Sequence, residues 1–531
     1  MIEPRHASPE PHGSQPFAFH PVLFAAYPVL FLYSVNVAEV DFAEVLVPLG
    51  AVVGLGTAAF LLARLIVRET ARAALLTSVG LIAFLGYGHI RSLVAPTGLR
   101  GGWFLVVFVA IVVIAAGLTL LARRVPGKLT TGLNVASIGL ILAAVVPVSG
   151  DIVASVGPPA IEPGTIPVTA GDRTTDRDIY YIVLDRYASR HGLETYYDIT
   201  EPRLYGYLEQ AGFEVIDHAM ANYLRTAHSL TSTVHMRYLD AEAARYGPGP
   251  NRIGTIKPLM QDHPVGRFLQ AQGYTYYHLG SWWDATEANL IADVNPRVNA
   301  LSDFVAALVD TTAIPVIQRR LARFGITVGA TETTERERAY STTVAELNEL
   351  TRIAAAPGKK FVFAHILLPH KPYVFNPDGS YVTAEEEESR ERVERYARQL
   401  EYADSKMIEF LDQILSVPEQ ERPIVLMQAD EGPYPVQYEN RPTVPWTEAT
   451  DADLDEKFGI LAAYYLPDFP GSAPYPGITP VNSFRLILGG YFGADLPLLP
   501  DRHIIYTDAY HPFDFADYTD RMKRIASETG P

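Results

Sequence analysis

The sequence predicts a chain in two parts: an N-terminal bundle of five transmembrane helices, followed by an α/β domain with a mostly parallel sheet between helices. Residues 19–150 are almost entirely apolar, which is typical of membrane spans. From residue 178 onward, short apolar runs alternate with helical patterns, which is typical of a parallel sheet covered by helices. A chain of 531 residues is also long enough for more than one domain.

The overall composition excludes several classes of function. The formal charge of −17 argues against nucleic acid as a partner. The chain contains no cysteine, which excludes disulfides, thiolate metal sites and a cysteine nucleophile.

The apolar region divides into five stretches, each of about 20 residues and so long enough to cross a hydrocarbon core of ~30 Å as a helix. These stretches lack a polar face, so a soluble helical bundle is disfavoured. No short apolar segment precedes a small-residue cleavage site, so a signal peptide is not expected. The stretches are 19–38, 43–66, 72–95, 102–122 and 129–150.

The loops between these stretches predict the orientation of the bundle. The loops after the second and fourth stretches are rich in arginine and lysine, whereas the opposite loops are acidic or weakly basic. By the positive-inside rule the N-terminus is cytoplasmic, and five crossings place everything after residue 150 outside. The predicted parts are a cytoplasmic tail at 1–18, a transmembrane domain at 19–150, a Pro-rich linker at 151–177 and an extracytoplasmic domain at 178–531.

The apolar runs of the last part predict the strands and helices of an α/β sheet. The predicted strands are 179–184, 213–218, 274–279, 361–368, 423–429 and 459–466. The predicted helices are 201–212, 226–239, 262–272, 335–356 and 383–416. Residues 301–324 are amphipathic and fit two interpretations, packing on the sheet or lying on the outer membrane face with their arginines toward headgroups. Packing on the sheet is the favoured one, because amphipathic helices usually face a core.

Two predicted strands end in acidic residues. Asp185 follows the strand at 179–184, and Asp430 and Glu431 follow the strand at 423–429. In an open α/β sheet such ends meet at the edge where ligands bind. Neighbouring carboxylates would repel unless a cation or a proton intervenes, although an acidic solvated turn is the plainer alternative. Thr226 lies at the start of a predicted helix, where it either caps the helix or presents a hydroxyl to a bound anion.

The blocks IVLDRY, TAHSLTSTVHM, FVFAHILLPHKPYVF and IVLMQADEGP, in this order, resemble the sulfatase-like branch of the alkaline phosphatase superfamily. Within that branch the sequence is most similar to membrane-anchored phosphotransferases such as lipoteichoic acid synthases and phosphoethanolamine transferases. The tail at 464–493 also resembles bacterial proteins of this branch. The resemblance implies an alkaline-phosphatase-like domain on a multi-pass protein of the bacterial cell membrane.

The resemblance implies roles for the matching residues. Asp185 matches the first acidic metal ligand, and Asp430 matches the acid of a late Asp-His pair. Thr226 matches the nucleophile, which is also a metal ligand, and Ser229 completes its T-x-x-S context. His370, in PHKPY, matches a histidine that contacts the substrate phosphate.

Further residues are weaker candidates that could lie around the substrate or the metal, and each has a structural alternative such as packing. These residues are His365, Trp282, Trp283, Arg186, Arg225, His228 and His235. Among them His365, Trp283 and Arg225, together with Ser229, are predicted to bind the substrate. A separate acidic run, DADLDE at 451–456, lacks the glycine and the final glutamate of a calcium loop. We interpret that run as a solvated acidic loop.

The sequence departs from the family pattern at Glu431, which stands where the late pair has histidine. Asp185, Thr226, Asp430 and Glu431 would then form an all-oxygen site for one divalent cation, with Mn²⁺ or Mg²⁺ favoured over Ca²⁺ or Zn²⁺. Three carboxylates around one divalent ion disfavour an anionic substrate unless His370 or an arginine compensates. A site that has lost its metal and only binds ligands is the alternative.

These residues predict a metal-dependent phosphotransferase that moves a phospho-headgroup from a lipid donor to a cell-envelope glycan or lipid through a phospho-threonine intermediate. No C/S-x-P-x-R motif is present, so a formylglycine-dependent sulfatase mechanism is disfavoured. Two alternatives stay open. One is a phosphoester or sulfate-ester hydrolase, and the other is a catalytically silent membrane protein of envelope assembly.

Overall fold

A computed structural model describes residues 16–37, 40, 42–97, 101–122, 125–156, 168–249, 253–281, 283–296, 302–326 and 335–529. The chain forms two compact units. The helical unit comprises Met1–Pro158 and Phe304–Thr331, and the α/β unit comprises Pro159–Asp303 and Glu332–Pro531. Most of the predicted tail and the centre of the predicted linker lie outside the described residues.

The helical unit contains the apolar N-terminal helices and a helix pair from later in the chain. Its helices, numbered along the chain, are α1 His20–Val35, α2 Phe42–Val67, α3 Thr70–Leu85, α4 Tyr87–Val94, α5 Gly101–Leu121, α6 Gly127–Val145, α7 Ser149–Val156, α15 Asp303–Thr311 and α16 Ile314–Ala322. Much of the apolar surface of α2, α5 and α6 is exposed, as expected for helices that face lipid.

The predicted count of five membrane spans is not confirmed. Among the described residues, three helices are long and apolar enough to cross a membrane, and α3 with α4 would make a fourth if that pair, bent by 64°, forms one span. The remaining helix at a predicted stretch, α1, is apolar but only 16 residues long. A helix therefore lies in each predicted stretch, and two of these helices deviate from a full, straight span.

Polar contacts fix where α1 begins. The backbone N–H groups of Phe19 and His20 donate to the Asn134 side chain of α6, at 3.3 and 3.1 Å. The His20 ring is also within hydrogen-bonding distance of Ser78 of α3, at 2.7 Å. The first N–H groups of a helix have no partner within the helix, and apolar surroundings offer no water. Asn134 supplies that partner, so α1 begins beside the interior of α6.

One end of the helical unit is marked by a small apolar cluster. Val29 and Tyr33 from the last part of α1, Val45 from the first turn of α2 and Val148 just beyond α6 are buried together there. Helices α1 and α6 therefore end at this cluster, and α2 begins at it. The chain enters the α/β unit after α7, which follows directly from this end.

Helices α15 and α16 correct the favoured interpretation of residues 301–324. That segment was expected to pack on the sheet, but Phe304 and Leu308 of α15 are buried in the apolar cluster at the end of the helical unit. The backbone N–H of Ala313 also donates to the carbonyl of Phe84 in α3, at 2.8 Å. An amphipathic pattern predicts a buried face but does not specify which core covers it.

The α/β unit contains most of the remaining elements. Its helices are α8 Arg190–Tyr197, α9 Arg203–Gln210, α10 Thr226–His235, α11 Asp240–Tyr246, α12 Lys257–Gln261, α13 Pro264–Ala271, α14 Asp284–Glu287, α17 Glu335–Ala354, α18 Ala384–Glu388, α19 Arg392–Leu415, α20 Asp451–Phe458, α21 Pro480–Phe492 and α22 Thr519–Thr529. Its strands are β1 Ile179–Leu184, β2 Glu214–Val215, β3 Thr275–Leu279, β4 Lys360–Ile366, β5 Ile424–Gln428, β6 Ala462–Tyr465, β7 Ile504–Tyr506 and β8 Phe515–Asp517.

The main sheet has the strand order β2-β6-β5-β1-β4-β3. Strands β5, β1, β4 and β3 are parallel, and β6 pairs antiparallel with both β5 and β2. Strand β1 lies at the centre, where all six of its residues are buried, as expected for an apolar run covered on both faces. The predicted mostly parallel α/β sheet is confirmed, and each of the six predicted runs contains a strand.

Helix α20 corrects the interpretation of 451–456 as a solvated loop. Thr450 caps the helix reciprocally with Asp453, an arrangement that satisfies free N–H groups at a helix start. The last turn of α20 is buried rather than solvated and includes Glu456 and Lys457. The acidic composition concealed a capping box, whose Thr-x-x-Asp spacing was readable in the sequence.

Candidate active site

Three neighbouring strands bring their ends to one point at the carboxyl edge of the sheet. Val183 of β1 lies opposite Gln428 of β5 and His365 of β4. Asp185 directly follows β1, and Asp430 follows β5 by two residues. One ligand atom each from Asp185, His365 and Asp430 lies within 4.8 Å of the others. We call these three residues the Asp–His–Asp corner.

The Asp–His–Asp corner fits a divalent cation. All three side chains are buried, and His365 Nε2 lies 3.3 Å from Asp185 Oδ2. Within the described part of the chain, Asp185 Oδ1, His365 Nε2 and Asp430 Oδ2 have no hydrogen-bond partner. Buried polar atoms without partners cost free energy, and two carboxylates with an imidazole are ligands for divalent metals. A buried group that could bind a metal is therefore present.

The pKa of Asp430 also favours a cation at this site. Burial and the nearby carboxylates of Asp185 and Glu431 raise the pKa of Asp430 well above its usual range. Like charges that share a buried site disfavour ionisation unless a cation compensates them. A divalent ion at the Asp–His–Asp corner would reverse this effect and keep Asp430 ionised.

Two neighbours hold the imidazole of His365. The Thr286 hydroxyl lies 2.8 Å from His365 Nδ1, so Nε2 is left to face the acids. The Trp283 ring packs edge-on against His365, with centroids 6.0 Å apart. Such outer contacts fix the tautomer and orientation of a metal-binding histidine. Both His365 and Trp283 were predicted to bind substrate, whereas their contacts here are with the Asp–His–Asp corner and with each other.

Thr226 is the first residue of α10, and its hydroxyl shares a hydrogen bond with Asp430 that lowers the pKa of that carboxyl. The preceding residue, Arg225, is half-buried and has an extended backbone, and its side chain does not cap the helix. The free N–H groups of a helix start favour an anion nearby. The structure therefore places the Thr226 hydroxyl beside an acid of the corner and at a helix end suited to a phosphate group.

Glu431 lies in a different environment from Asp430. Its Oε1 atom is 2.9 Å from Lys457 Nζ and 3.1 Å from Arg186 Nε. The Tyr434 ring lies between the two cations, 3.6 Å from Lys457 Nζ and 4.4 Å from the Arg186 guanidinium carbon. We call Glu431, Arg186, Lys457 and Tyr434 the Glu431 ion cluster. Its carboxylate is compensated by fixed cations and is not part of the group in which three ligand atoms converge.

A close backbone contact brings Lys457 to Glu431. Gly432 N–H donates to the carbonyl of Lys457, and Lys457 Nζ donates to the carbonyl of Gly432, each at 2.9 Å. A Cβ at position 432 would lie 2.3 Å from the carbonyl oxygen of Glu456, so only glycine fits there. Burial lowers the pKa of Lys457 to about 8, an effect that the Glu431 carboxylate opposes.

Arg186 contacts Asp185 and also Asp430 and Glu431, the two acids that follow β5. Its φ of 61° is in the left-handed region, which is uncommon for a residue with a side chain. This conformation points the backbone N–H toward Asp430 Oδ1, at 3.4 Å, while Nε reaches Glu431 and lies 3.7 Å from Asp185 Oδ1. Strained conformations of this kind cluster at functional sites.

Asp185 and His370 influence each other. Burial opposes ionisation of Asp185, but the imidazoles of His370 and His365 and the Arg186 guanidinium outweigh burial and hold its pKa well below the usual range. Burial and the charge of Arg186 lower the pKa of His370 to about 3, so its imidazole is neutral at physiological pH. His370 Nδ1 also makes a hydrogen bond with the carbonyl of Lys371.

The other predicted residues occupy structural positions or lie outside the description. Ser229 is buried inside α10, where its hydroxyl donates to the carbonyl of Tyr223 at 3.3 Å. His235 bonds the carbonyl of Leu259 at 2.7 Å, and His228 packs among four aromatic rings. Trp282 lies outside the described residues.

The sequence missed two residues that lie at this site, and the structure adds an imidazole to the donor atoms that the sequence predicted. Lys457 directly follows the run that we interpreted as an acidic loop, and Thr286 lies in no motif. Recognition of the capping box at Thr450 would have placed Lys457 on a helix. The expectation of an all-oxygen site rested on the loss of an imidazole at position 431. His365 brings an imidazole to the acids from β4, so that reason for disfavouring Zn²⁺ no longer holds.

No family model matches the sequence, and a search of curated proteins finds no significant relative. Similar solved structures include the C-terminal periplasmic domain of EcEptC from Escherichia coli in complex with Zn, which is 12% identical, has a TM-score of 0.41 and covers 66% of this chain and 95% of that chain. The phosphonate monoester hydrolase of Agrobacterium radiobacter is 11% identical, with a TM-score of 0.38 and coverage of 62% and 75%.

A full-length membrane protein is also similar. The integral membrane protein lipooligosaccharide phosphoethanolamine transferase A (EptA) from Neisseria meningitidis is 12% identical, has a TM-score of 0.39 and covers 90% of this chain and 96% of that chain.

Proposed function

We propose that this chain is a membrane-anchored, metal-dependent phosphotransferase that moves a phospho-headgroup from a lipid donor to a cell-envelope glycan or lipid. The observation that carries the proposal is the Thr226 hydroxyl, which is bonded to Asp430 at the start of α10 and beside the Asp–His–Asp corner. A nucleophile, a site for a divalent cation and a helix end suited to phosphate therefore meet at one edge of the sheet.

Asp185, His365 and Asp430 are the residues that would hold the cation, with Thr226 as a further oxygen ligand. A divalent cation there supplies Lewis acidity, which lowers the pKa of a coordinated hydroxyl and offsets charge on phosphoryl oxygens. Two carboxylates, a hydroxyl and an imidazole suit Mn²⁺ and Zn²⁺, and they suit Mg²⁺ and Ca²⁺ less well. Glu431 was predicted as a fourth protein ligand, and we propose instead that it organises Arg186 and Lys457.

The charge of the whole site supports an anionic substrate. Asp185, Asp430 and Glu431 carry three negative charges, while Arg186 and Lys457 carry two positive ones. With one divalent cation the site has a net charge of about +1, a sign that favours a phosphoester. With the cation the site is therefore not negative, in contrast to the net negative site that the sequence predicted. Without a cation, three buried acids would face only two basic groups.

The chain's own residues would act in two halves of the reaction. Asp430 accepts the hydrogen bond of Thr226 and so orients Oγ toward the substrate. In the first half Thr226 Oγ forms a bond to phosphorus while the bond from phosphorus to the donor alcohol oxygen breaks, leaving phospho-threonine. In the second half an acceptor hydroxyl forms a bond to phosphorus and Thr226 Oγ leaves.

Protons balance within each half. In the first half the proton that Thr226 loses goes to the oxygen of the leaving donor alcohol, and in the second half the proton that the acceptor hydroxyl loses goes to Thr226 Oγ. His370, neutral at physiological pH and electrostatically coupled to Asp185, could hydrogen-bond a phosphoryl oxygen or the leaving alcohol. Water in place of the acceptor hydroxyl would give the hydrolase that the sequence left open.

The direction of the helices supports an extracytoplasmic site. Helix α1 begins at one end of the helical unit, and α1 and α6 both end at the apolar cluster from which the chain continues into the α/β unit. Residues before α1 and residues after α7 would then lie on opposite sides of the membrane. With the basic loops predicted to be cytoplasmic, the α/β unit would be outside, beside lipid donors of the outer leaflet.

Mass spectrometry of Thr226 tests the proposal. The full-length protein is loaded with Mn²⁺ or Zn²⁺ and incubated separately with phosphatidylethanolamine and phosphatidylglycerol. We expect one of these lipids to add its phospho-headgroup to the peptide containing Thr226 and to release diacylglycerol, and we expect Thr226→Ala to show neither product.

Ser229→Ala is the matched control, because Ser229 lies one turn later in α10 and bonds only within the fold. This variant should form the adduct. Equal diacylglycerol release by Thr226→Ala and the unmodified protein would overturn the proposed nucleophile. Adduct formation that is discharged by water as fast in the presence of membrane acceptors as in their absence would favour the hydrolase.

A further inference from the structure

Helices α15 and α16 interrupt the α/β unit between β3 and β4, yet they belong to the helical unit. Phe304 and Leu308 of α15 are buried with Val29, Tyr33 and Val148 at the end of that unit. Burial of these side chains anchors the helix pair, because the burial of apolar side chains is favourable. Helix α15 is therefore the member of the pair that is fixed in the helical unit.

Helix α16 begins beside the end of α3. The N–H of Ala313 donates to the carbonyl of Phe84, the second-last residue of α3, at 2.8 Å. Gly88, at the start of α4, lies so close to α15 that an added Cβ would be 2.8 Å from the carbonyl oxygen of Asp310. The chain bends by 64° between α3 and α4 at the same point. The start of α16 therefore lies beside the end of α3, and it follows directly on α15, which is buried in the apolar cluster of the helical unit.

The surface of α16 combines apolar and basic side chains. Ile317 is 45% exposed, Phe324 is 81% exposed and Ile326 is 50% exposed. The arginines exposed beside them are Arg319, Arg320 and Arg323. Gly325, with a φ of 75°, and the bond from Ile326 N–H to the carbonyl of Leu321 end the helix and hold Phe324 at its tip. A short helix with large apolar and arginine side chains on its exposed surface is typical of a membrane interface.

We propose that α16 docks on the surface of the bilayer in which the N-terminal helices lie, and that it binds anionic phospholipids. Ile317, Phe324 and Ile326 enter the boundary between headgroups and acyl chains, and the arginines contact lipid phosphates. Charge complementarity identifies this partner, because three arginines and no acidic residue lie between residues 314 and 326. The inference does not depend on the proposed reaction, since none of these residues belongs to the candidate active site.

Single cysteine variants test the docking, because the chain contains no cysteine of its own. Phe324→Cys and Ile317→Cys are labelled with an environment-sensitive fluorophore in the full-length protein, reconstituted in vesicles of phosphatidylcholine with and without phosphatidylglycerol. Leu498→Cys is the matched control, since Leu498 in the α/β unit is 45% exposed, as is Ile317. Quenching is measured with a spin label on the lipid and with iodide in the water.

Labels at 317 and 324 should be quenched by the lipid-bound spin label and protected from iodide, whereas the label at 498 should show the opposite. Adding phosphatidylglycerol should increase lipid quenching at 324, and Arg320→Gln should reduce docking to the anionic vesicles about fivefold. Arg352→Gln, at an exposed arginine of α17, should leave it unchanged. Equal iodide quenching at 324 and 498, or protection at 324 from both quenchers, would overturn the proposal.

Discussion

Asp430 and Glu431 are neighbours in the sequence but lie in opposite electrostatic environments. Asp430 faces Asp185 and His365, and burial with the nearby acids raises its pKa. One oxygen of each carboxylate, Asp430 Oδ2 and Glu431 Oε2, has no hydrogen-bond partner in the described structure. Glu431 is bonded to Arg186 and Lys457, two cations that the fold itself supplies. Both carboxylates are about 1% exposed, so burial alone does not separate them. What separates them is the origin of the compensating charge.

The comparison teaches that two adjacent acids in a motif need not share a role. A buried carboxylate must be paired, coordinated or protonated, because its desolvation is costly. The Asp–His–Asp corner is suited to a cation from solution, and the Glu431 ion cluster has its cations built in. We therefore propose that position 431 stabilises the basic side of the site, while position 430 serves the metal and the nucleophile.

Removing one built-in cation should break the Glu431 ion cluster and give the largest change in stability. Lys457→Met would leave Glu431 buried with only Arg186 as a partner, and loss of one member of a buried ion pair costs about 3–5 kcal/mol. Thermal unfolding of the full-length protein should show a melting temperature lowered by several degrees. Glu431→Gln in the same chain should recover part of the loss, since the uncompensated charge is removed.

An exposed lysine is the control for that variant. Lys406 pairs with Glu409 on the surface of α19, and Lys406→Met should change the free energy of unfolding by about 1 kcal/mol or less. If Lys457→Met were as mild as Lys406→Met, the Glu431 ion cluster would not be the source of compensation.

Asp404 sharpens the comparison, because its buried carboxyl is stabilised in a third way, by hydrogen bonds from a hydroxyl and a backbone N–H. Its carboxyl accepts from the Tyr187 hydroxyl at 2.6 Å and from the Leu204 N–H at 3.3 Å, and burial raises its pKa to about 6. Because the folded pKa exceeds the unfolded value of about 3.9, the contribution of Asp404 to stability is most favourable below pH 4 and is lost as the pH rises through 6. The loss is about 3 kcal/mol at about 1.4 kcal/mol per pH unit.

Asp404→Asn should remove this pH dependence while keeping an acceptor for Tyr187. Relative to the unmodified protein, the variant should gain stability between pH 4 and pH 7.5, as measured by its melting temperature across that range. A constant difference between the two proteins over the same range would show that Asp404 does not titrate near pH 6 in the folded chain.

A smaller effect, on metal affinity, is expected from removing the hydroxyl that orients His365 in the Asp–His–Asp corner. Thr286→Val removes the hydroxyl that lies 2.8 Å from His365 Nδ1, and loss of such a contact weakens metal binding about 10–100-fold. Titration with Mn²⁺ or Zn²⁺ should show this loss, and Thr286→Ser should restore affinity. Unchanged affinity in the valine variant would mean that His365 is not a ligand.

The sequence predicted the parts of the fold that depend on local patterns. The apolar run of β1 and its ending at Asp185 were readable because a buried parallel strand needs no information from elsewhere in the chain. The same holds for Thr226 at a helix start and for Asp430 beyond β5. These residues are now found at one edge of the sheet.

The sequence could not predict contacts that join distant segments. Lys457 reaches Glu431 only because Gly432 allows the end of α20 to approach closely, and His365 joins Asp185 only through the pairing of β1 with β4. The anchoring of α15 in the helical unit is a contact of the same kind. Periodicity predicts that a face is buried, but the partner of that face is set by the whole fold.

Metal content of two neighbouring variants tests the division between positions 430 and 431 most directly. The full-length protein, Asp430→Asn and Glu431→Gln are each loaded with Mn²⁺ or Zn²⁺, freed of excess ion and analysed by elemental mass spectrometry. We expect about one tightly bound ion per chain in the unmodified protein and in Glu431→Gln, and none in Asp430→Asn. Loss of the ion from Glu431→Gln to the same extent as from Asp430→Asn would contradict this division.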